Sequence, residues 1–321
     1  MQWYKRLASD SAEKVPHTPS GQAPPSSRGS GDGKLVVEPL KGRRETSGFK
    51  VYLKVDMEGI SGVVSREQVQ PGTAEYASAR RLLMQDLNAV LEGAFSARCT
   101  EAVVYDAHSA GRNVDLDSFD RRASVISGKP QPKDNFFWGL DDSYRALFLV
   151  GFHARAGAPD ALMPHTYDDD IASVRVNGAE VGEIGMEAAL AGKFGIPLVF
   201  ISGDSGAVRE AKDLLGDDVQ AVEVKKAITA TSAVCLPSAR TADLLREGAV
   251  RAVRNASAVP PVIFQSPTTL EVTFHTAESA AVLEKLPGIQ RTGESTVRVE
   301  GPHILAAYRD FVIGRSLNGK P

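Results

Sequence analysis

Three apolar runs in this chain pass directly into side chains able to ligate a metal ion. Lys50-Val51-Tyr52-Leu53-Lys54-Val55 leads into Asp56, Met57, Glu58 and Gly59. Glu101-Ala102-Val103-Val104-Tyr105 leads into Asp106, Ala107 and His108, and Ala146-Leu147-Phe148-Leu149-Val150 into Gly151, Phe152 and His153. Asp56 and Glu58 stand two residues apart, which on a strand turns both carboxylates to one face. Burying two carboxylates side by side is costly unless a cation or hydrogen-bond donors neutralise them. Asp106 shares a strand face with His108, where a carboxylate either fixes the tautomer of a ligating histidine or ligates directly. Gly59 permits a sharp turn or a close backbone approach. Glu183, between Gly182 and Gly185, and His165, in the loop Met163-Pro164-His165-Thr166-Tyr167-Asp168, are further candidates.

Each residue also has an ordinary reading: solvated acids at a strand end, histidines bonded to backbone, an exposed loop histidine, a glutamate favoured by the dipole of a helix N-terminus. Collectively they are more specific. Asp56, Glu58, Glu183, His108 and His153 mix oxygen and imidazole without thiolate, which suits zinc in a catalytic site. Five ligands exceed what one catalytic zinc usually takes from protein, which favours two ions bridged by a carboxylate.

The elements that must position these groups alternate between strand and helix. The three runs have the length and Val/Leu/aromatic content of strands buried on both faces. Glu75 to Arg98 predicts a helix, with Leu82, Leu83, Leu87, Val90, Leu91 and Ala94 at spacings of three and four. It spans the distance a parallel crossover needs. Ile171 to Gly178 alternates into a turn dipeptide and predicts a hairpin with Ala179 to Glu183. Met186 to Phe194 reads as a helix, Pro197 to Asp204 as a buried strand, and Ala207 to Leu215 as a helix. The class is α/β, a mostly parallel sheet flanked by helices, and sites in such sheets form at the carboxyl ends of strands. After about Val224 the rhythm changes to a long helix (239–255), an alternating strand (268–275), a short helix (277–284), a strand (295–299) and a closing helix (302–314), a smaller C-terminal α+β subdomain. The chain thus divides into a Pro/Ser/Gly-rich tail over 1–48, too poor in core-forming residues to offset its ordering entropy, a metal-binding catalytic domain over 49–223, and the subdomain over 224–321.

Of the 321 residues, 42% are hydrophobic and 24% charged, and the net charge is -3. That balance argues against a nucleic-acid partner, which calls for a basic footprint. No run approaches 18 apolar residues, so no membrane span is expected. Two cysteines, Cys99 and Cys235, make no disulfide framework, and the N-terminus lacks the apolar core of a signal peptide. These point to the cytoplasm.

Val55-Asp56-Met57-Glu58-Gly59-Ile60-Ser61-Gly62 resembles the signature of the D-aminopeptidases of the dipeptide-permease operon type, metallopeptidase family M55. The resemblance runs from about Lys50 to the C-terminus. It includes Asp106-Ala107-His108-Ser109, Gly139-Leu140-Asp141-Asp142, Gly151-Phe152-His153-Ala154-Arg155, His165 and Val181-Gly182-Glu183-Ile184-Gly185. It implies two zinc ions per chain, Asp56 bridging them and Glu58, His108, His153 and Glu183 completing the ligand set. His165 falls where the family places its catalytic histidine, described there as a nucleophile; an imidazole beside an activated water serves equally as general base. The resemblance further implies removal of an N-terminal D-amino acid from short peptides, and a ring-based homo-oligomer, a decamer. Two rival activities fit the same residues: a dinuclear amidohydrolase acting on cyclic amides or L-peptides, and a non-catalytic scaffold with a weakened metal site. Two positions depart from the family pattern. Lys54 stands where the family has Ser, and either pairs with a ligating carboxylate or forms a salt bridge away from the metal. Ala230 stands where the family often has Arg, at a substrate or inter-subunit contact.

Overall fold

The structure is a computed structural model, and it describes residues 48–129 and 139–317. The tail expected over 1–48 lies outside the described residues, apart from Gly48. Strand β1 (Phe49–Val55) leads through α1 (Arg66–Val69) and α2 (Ala74–Ser96) to β2 (Cys99–Asp106), β3 (Ser124–Ile126) and β4 (Tyr144–Phe152). Then come β5 (Ile171–Val176), β6 (Ala179–Val181), α3 (Glu183–Gly192), β7 (Leu198–Asp204), α4 (Ser205–Leu215), β8 (Gln220–Thr229), β9 (Ser232–Cys235) and α5 (Ser238–Asn255). The chain closes with β10 (Thr268–Phe274), α6 (Ala277–Leu283), β11 (Ile289–Arg291), β12 (Thr296–Gly301) and α7 (Ile304–Leu317).

Seven strands form one sheet in the order β3-β2-β1-β4-β7-β8-β9, parallel except for the final β8–β9 hairpin. Strand order reverses around β1: β2 lies on one side and β4 on the other. Such a reversal opens a crevice at the carboxyl ends of the strands, where α/β proteins place ligands. The three ligand-bearing runs are the neighbours β2, β1 and β4. A second sheet, β11-β12-β10-β5-β6, is antiparallel throughout.

Position 224 does not separate the two sheets. The Ile171 hairpin pairs with β10, Val174 opposite Val272, while α5, beyond residue 224, packs on α2 and on β7 and β8 of the parallel sheet. Alternation along β1 distributes its side chains between two cores. Val51, Leu53 and Val55 join Leu83, Leu87, Leu91, Phe148, Phe200, Leu245 and Ala249 beneath α2 and α5. Tyr52 faces the other way, with Leu147, Phe152, Ile184, Leu190, Val272, Val297 and Phe311, between the parallel sheet, α3, the antiparallel sheet and α7. Lys54 lies in register with Tyr52, so its ammonium enters this second core. Among the described residues no helix is long and apolar enough to cross a membrane.

Candidate metal centre

Strand β1 stops at Val55, so Asp56 and Glu58 sit in the turn beyond it rather than on the strand. They still converge, because the turn is held at several points. Asp56 N donates to Val150 O (2.9 Å), Gly59 N to Gly151 O (2.8 Å) and Ile60 N to Met57 O (3.1 Å). Gly59 serves close approach: a Cβ there would lie 2.0 Å from Phe152 O. Gly151 answers it from β4 with φ +73° and a virtual Cβ 2.4 Å from Asp56 O. The ends of β1 and β4 therefore touch backbone to backbone, bringing Asp56 beside His153.

Asp56 faces two histidines with its two oxygens. Its Oδ1 is 3.0 Å from His108 Nδ1, and its Oδ2 is 3.5 Å from His153 Nε2. Glu58 Oε2 lies 3.2 Å from His108 Nδ1, and Glu183 Oε1 lies 3.3 Å from His153 Nε2. Glu183 opens α3, where the helix dipole favours a carboxylate, and its Oε1 accepts from Tyr167 N at 2.6 Å. His165 stacks on His153, ring centroids 3.9 Å apart at 12°. Two groups result, Asp56/Glu58/His108 and His153/His165/Glu183, each with its candidate ligand atoms within 4.8 Å of one another. The five residues expected to ligate metal and His165 come together, whereas Asp106 does not join them.

Backbone carbonyls assign the tautomers, because a carbonyl can only accept. His108 Nε2 donates to Val69 O (2.7 Å), leaving Nδ1 toward the carboxylates. His153 Nδ1 donates to Ala154 O (3.0 Å), leaving Nε2 inward. His165 Nδ1 donates to Met163 O (2.9 Å), which leaves Nε2 as the ring nitrogen not bonded to backbone. Val69 O takes the role considered for Asp106. The Asp106 carboxylate instead accepts from Asn113 N, Asn113 Nδ2 and Val114 N, and Asn113 Nδ2 also donates to His108 O. Asp106 thus shapes the loop that carries His108 and does not touch the ring.

The electrostatics are those of a site built around positive charge. Burial disfavours charge on both histidines, yet Glu58 and Asp56 push His108 up to about 11, and Glu183 with Asp56 pushes His153 up to about 10. Burial also opposes ionisation of Asp56, but hydrogen bonding and charge from His108, with His153, hold its carboxyl well below the usual range. Glu183 is lowered likewise by His153 against its burial. Glu58 Oε2 and His153 Nε2 are buried without a hydrogen-bond partner. Orphaned buried polar atoms are costly. A cation held between two carboxylates and an imidazole lone pair satisfies them, so the donor set fits a metal.

Three supporting residues escaped sequence reasoning. Lys225, from β8, is fully buried and donates to Glu58 O (2.6 Å), Ile60 O (2.7 Å) and Val63 O. Its three N–H groups satisfy three carbonyls of the irregular turn, which have no strand to pair with. Asp86, from α2, accepts Ser61 N at 2.8 Å in the same turn. Glu187, one helical turn after Glu183, forms a 2.7 Å ion pair with Lys54. Lys54 therefore pairs with a carboxylate outside the ligand groups. A signal for Glu187 did exist, as a lone charge in the apolar run Ile184 to Leu190. Ala230 offers backbone: its carbonyl accepts from Met163 N at 2.9 Å, supporting the His165 loop.

Fold and site together define a parallel-sheet α/β protein with a carboxylate–imidazole cluster able to hold metal at the strand-order reversal. Residues 49–313 match the family model Peptidase_M55, described as D-aminopeptidase, and the chain belongs to that family. It is 32% identical over 266 residues to a D-aminopeptidase of Bacillus subtilis (strain 168), covering 83% of this chain and 96% of that protein. Among solved structures it is similar to the Zn-dependent D-aminopeptidase DppA from Bacillus subtilis, a self-compartmentalizing protease. The TM-score is 0.81 at 31% identity, over 85% of this chain and 99% of that one.

Proposed function

We propose that this chain is a zinc aminopeptidase that removes the N-terminal D-amino acid from short peptides, with Asp56, Glu58, His108, His153 and Glu183 holding two zinc ions. The observation that carries this reading is the position of Asp56: its two oxygens face two imidazoles, His108 and His153, whose other ring nitrogens are tied to backbone carbonyls. That is the arrangement of a carboxylate shared between two ligand groups. Zinc bound there supplies Lewis acidity for the scissile carbonyl and for the attacking water.

The chain's own groups do the rest. Asp56 and Glu58 fix the negative charge of the site, and the backbone bonds of His108 and His153 hold their rings in one orientation. His165, held through Nδ1 by Met163 O, presents Nε2 to take the proton from the attacking water and return it to the departing amine. Its grouping with His153 and Glu183 favours a second reading, in which His165 is a sixth ligand. Zinc content of His165→Ala separates the two: unchanged zinc with lost turnover supports the base, and lost zinc supports the ligand. The pairing of Lys54 with Glu187 removes the ground for a weakened, non-catalytic site.

The D preference and the peptide substrate follow the family and the name of the Bacillus subtilis relative. The self-compartmentalizing character of the structural neighbour supports a ring-based homo-oligomer, a decamer, enclosing the sites. The two free cysteines support a cytoplasmic location. Matched dipeptides differing only in the configuration of the first residue test the activity. Release of the D residue at 100-fold or more the rate of the L residue is expected. Equal rates, or cleavage confined to L-peptides or cyclic amides, contradict it.

A further inference from the structure

The loop that carries His165 is held by the C-terminal helix, which lies beside it in space and far from it in sequence. Met163 (φ 43°) and Tyr167 (φ 60°), which flank His165, both adopt the left-handed region that non-glycine residues avoid. Such backbone persists where its surroundings over-determine it. On one side the loop rests on its neighbours: His165 N donates to Ala154 O (3.3 Å), and Thr166 Oγ1 accepts from Ala156 N (3.1 Å). On the other side it ends in Asp168 and Asp170, both gripped by Arg315 of α7. Arg315 Nη2 lies 2.5 Å from Asp168 Oδ2, and Nη1 lies 3.1 Å from Asp170 Oδ1.

Arg315 is 7% exposed, lies about 6 Å from the ring centroids of Phe274 and Phe311, and is some 145 residues from its partners in sequence. A planar guanidinium bonded to two carboxylates in a buried setting fixes orientation as well as distance. Asp170 is further tied to the second sheet, where its carbonyl accepts His275 N (2.9 Å) and its Oδ2 lies 3.4 Å from Ser279 Oγ.

We propose that Arg315 is a positioning residue for His165: it fixes the strained loop from the C-terminal helix and thereby sets where His165 Nε2 stands. Arg315 touches neither the metal ligands nor the reacting atoms. The inference rests on the reading of His165 as the catalytic base. Displacing a catalytic group by about 1 Å through a distant substitution costs on the order of 10²-fold in rate.

The test compares Arg315→Met, Arg315→Lys, Asp168→Asn and His165→Ala in the full-length, zinc-loaded protein, with kcat, KM and zinc per chain measured for each. Asp168→Asn keeps the shape of the loop and covers the case in which Arg315→Met fails to fold. The expected result is a kcat per zinc-loaded chain ten- to a hundredfold lower for Arg315→Met and Asp168→Asn, with KM and zinc content within about twofold of the parent. Arg315→Lys, which can meet a single carboxylate well, should fall between. Unchanged kcat in both clamp variants overturns the inference, as does a kcat loss that merely tracks lost zinc. Full activity of His165→Ala instead overturns the reading of the base, whatever the clamp variants do.

Discussion

Replacing Lys54 by Met leaves Glu187 buried without its ammonium, and the penalty can be bounded. The pair is 2.7 Å apart, with the side chains 7% and 5% exposed. At an effective dielectric of about 20, unit charges that close attract by roughly 6 kcal/mol, much of it offset by the desolvation of both ions. The orphaned carboxylate has a less costly route, which is to take up a proton. Burial already pushes the Glu187 carboxyl up, with Lys54 pulling it back. Protonating a carboxyl of ordinary pKa about 4.3 at pH 7 costs roughly 3.7 kcal/mol, inside the ~3–5 kcal/mol range for breaking a buried pair by removing one partner. In the variant the folded pKa of Glu187 lies above the unfolded one. The penalty is therefore absent below about pH 4, grows above it, and amounts to roughly 1 kcal/mol at pH 5. Urea unfolding followed by far-UV circular dichroism, at fixed chain and zinc concentrations, measures the difference from the parent at pH 5 and pH 7. The double variant Lys54→Met/Glu187→Leu should return to within about 1 kcal/mol of the parent, because an apolar pair of similar volume replaces both charges. A single-variant loss under about 1 kcal/mol at pH 7, or the same loss at both pH values, refutes the reasoning.

Metal binding should release protons. Without metal, His108 and His153 are held charged at pH 7.5 by their carboxylate neighbours, at about 11 and about 10, whereas a ligating imidazole is neutral. Calorimetric zinc titrations in buffers of different ionisation enthalpy should show about two protons released per chain; none released contradicts the assignment. The same raised values mean that, in the metal-free protein, the stabilisation from these imidazolium–carboxylate contacts is complete near pH 6.5, declines progressively as pH rises above it, and is gone once pH has passed through 10 to 11. Gly59→Ala drives a methyl to 2.0 Å from Phe152 O, so either β1 and β4 separate or the turn refolds. Soluble, zinc-binding protein of parental stability would show the contact to be unnecessary. Lys225→Met strands the buried Glu58 and Val63 carbonyls, while Ile60 O keeps its bond from Val63 N, and should cost about 2 kcal/mol or more in unfolding free energy, with zinc affinity falling alongside. Parental zinc affinity in that variant argues that the turn holds itself.

Periodicity made the parallel sheet and most helices legible to within a few residues, because β1, β2, β4 and β7 are buried on both faces and carry near-continuous apolar runs. Strands β3, β8 and β9 were not read from the sequence: in β8, Lys225, Lys226 and Glu223 break the apolar pattern, and Lys225 is buried for a reason local sequence does not contain. The Ile171 hairpin was recognisable as a hairpin, but its pairing with β10, nearly a hundred residues later, is a long-range choice. The convergence of Asp56, Glu58, His108 and His153 was foreseeable from strand ends and spacing, whereas Glu183 rested on its glycine neighbours and the role of His165 on the family resemblance. Their exact partners were not. Asp106 turned out to bond the loop at Asn113 and Val114, the His108 ring found Val69 O, and Lys54 found Glu187, all contacts set by tertiary packing.

Zinc content per chain, by elemental analysis of protein purified without chelator or added metal, tests the central claim most directly, with His153→Ala measured beside the parent. Two zinc ions in the parent, and loss of at least one in the variant, are predicted from a carboxylate shared between two histidine-containing groups. A parent with no zinc that takes up none when it is supplied, or a variant that keeps its full complement, contradicts it.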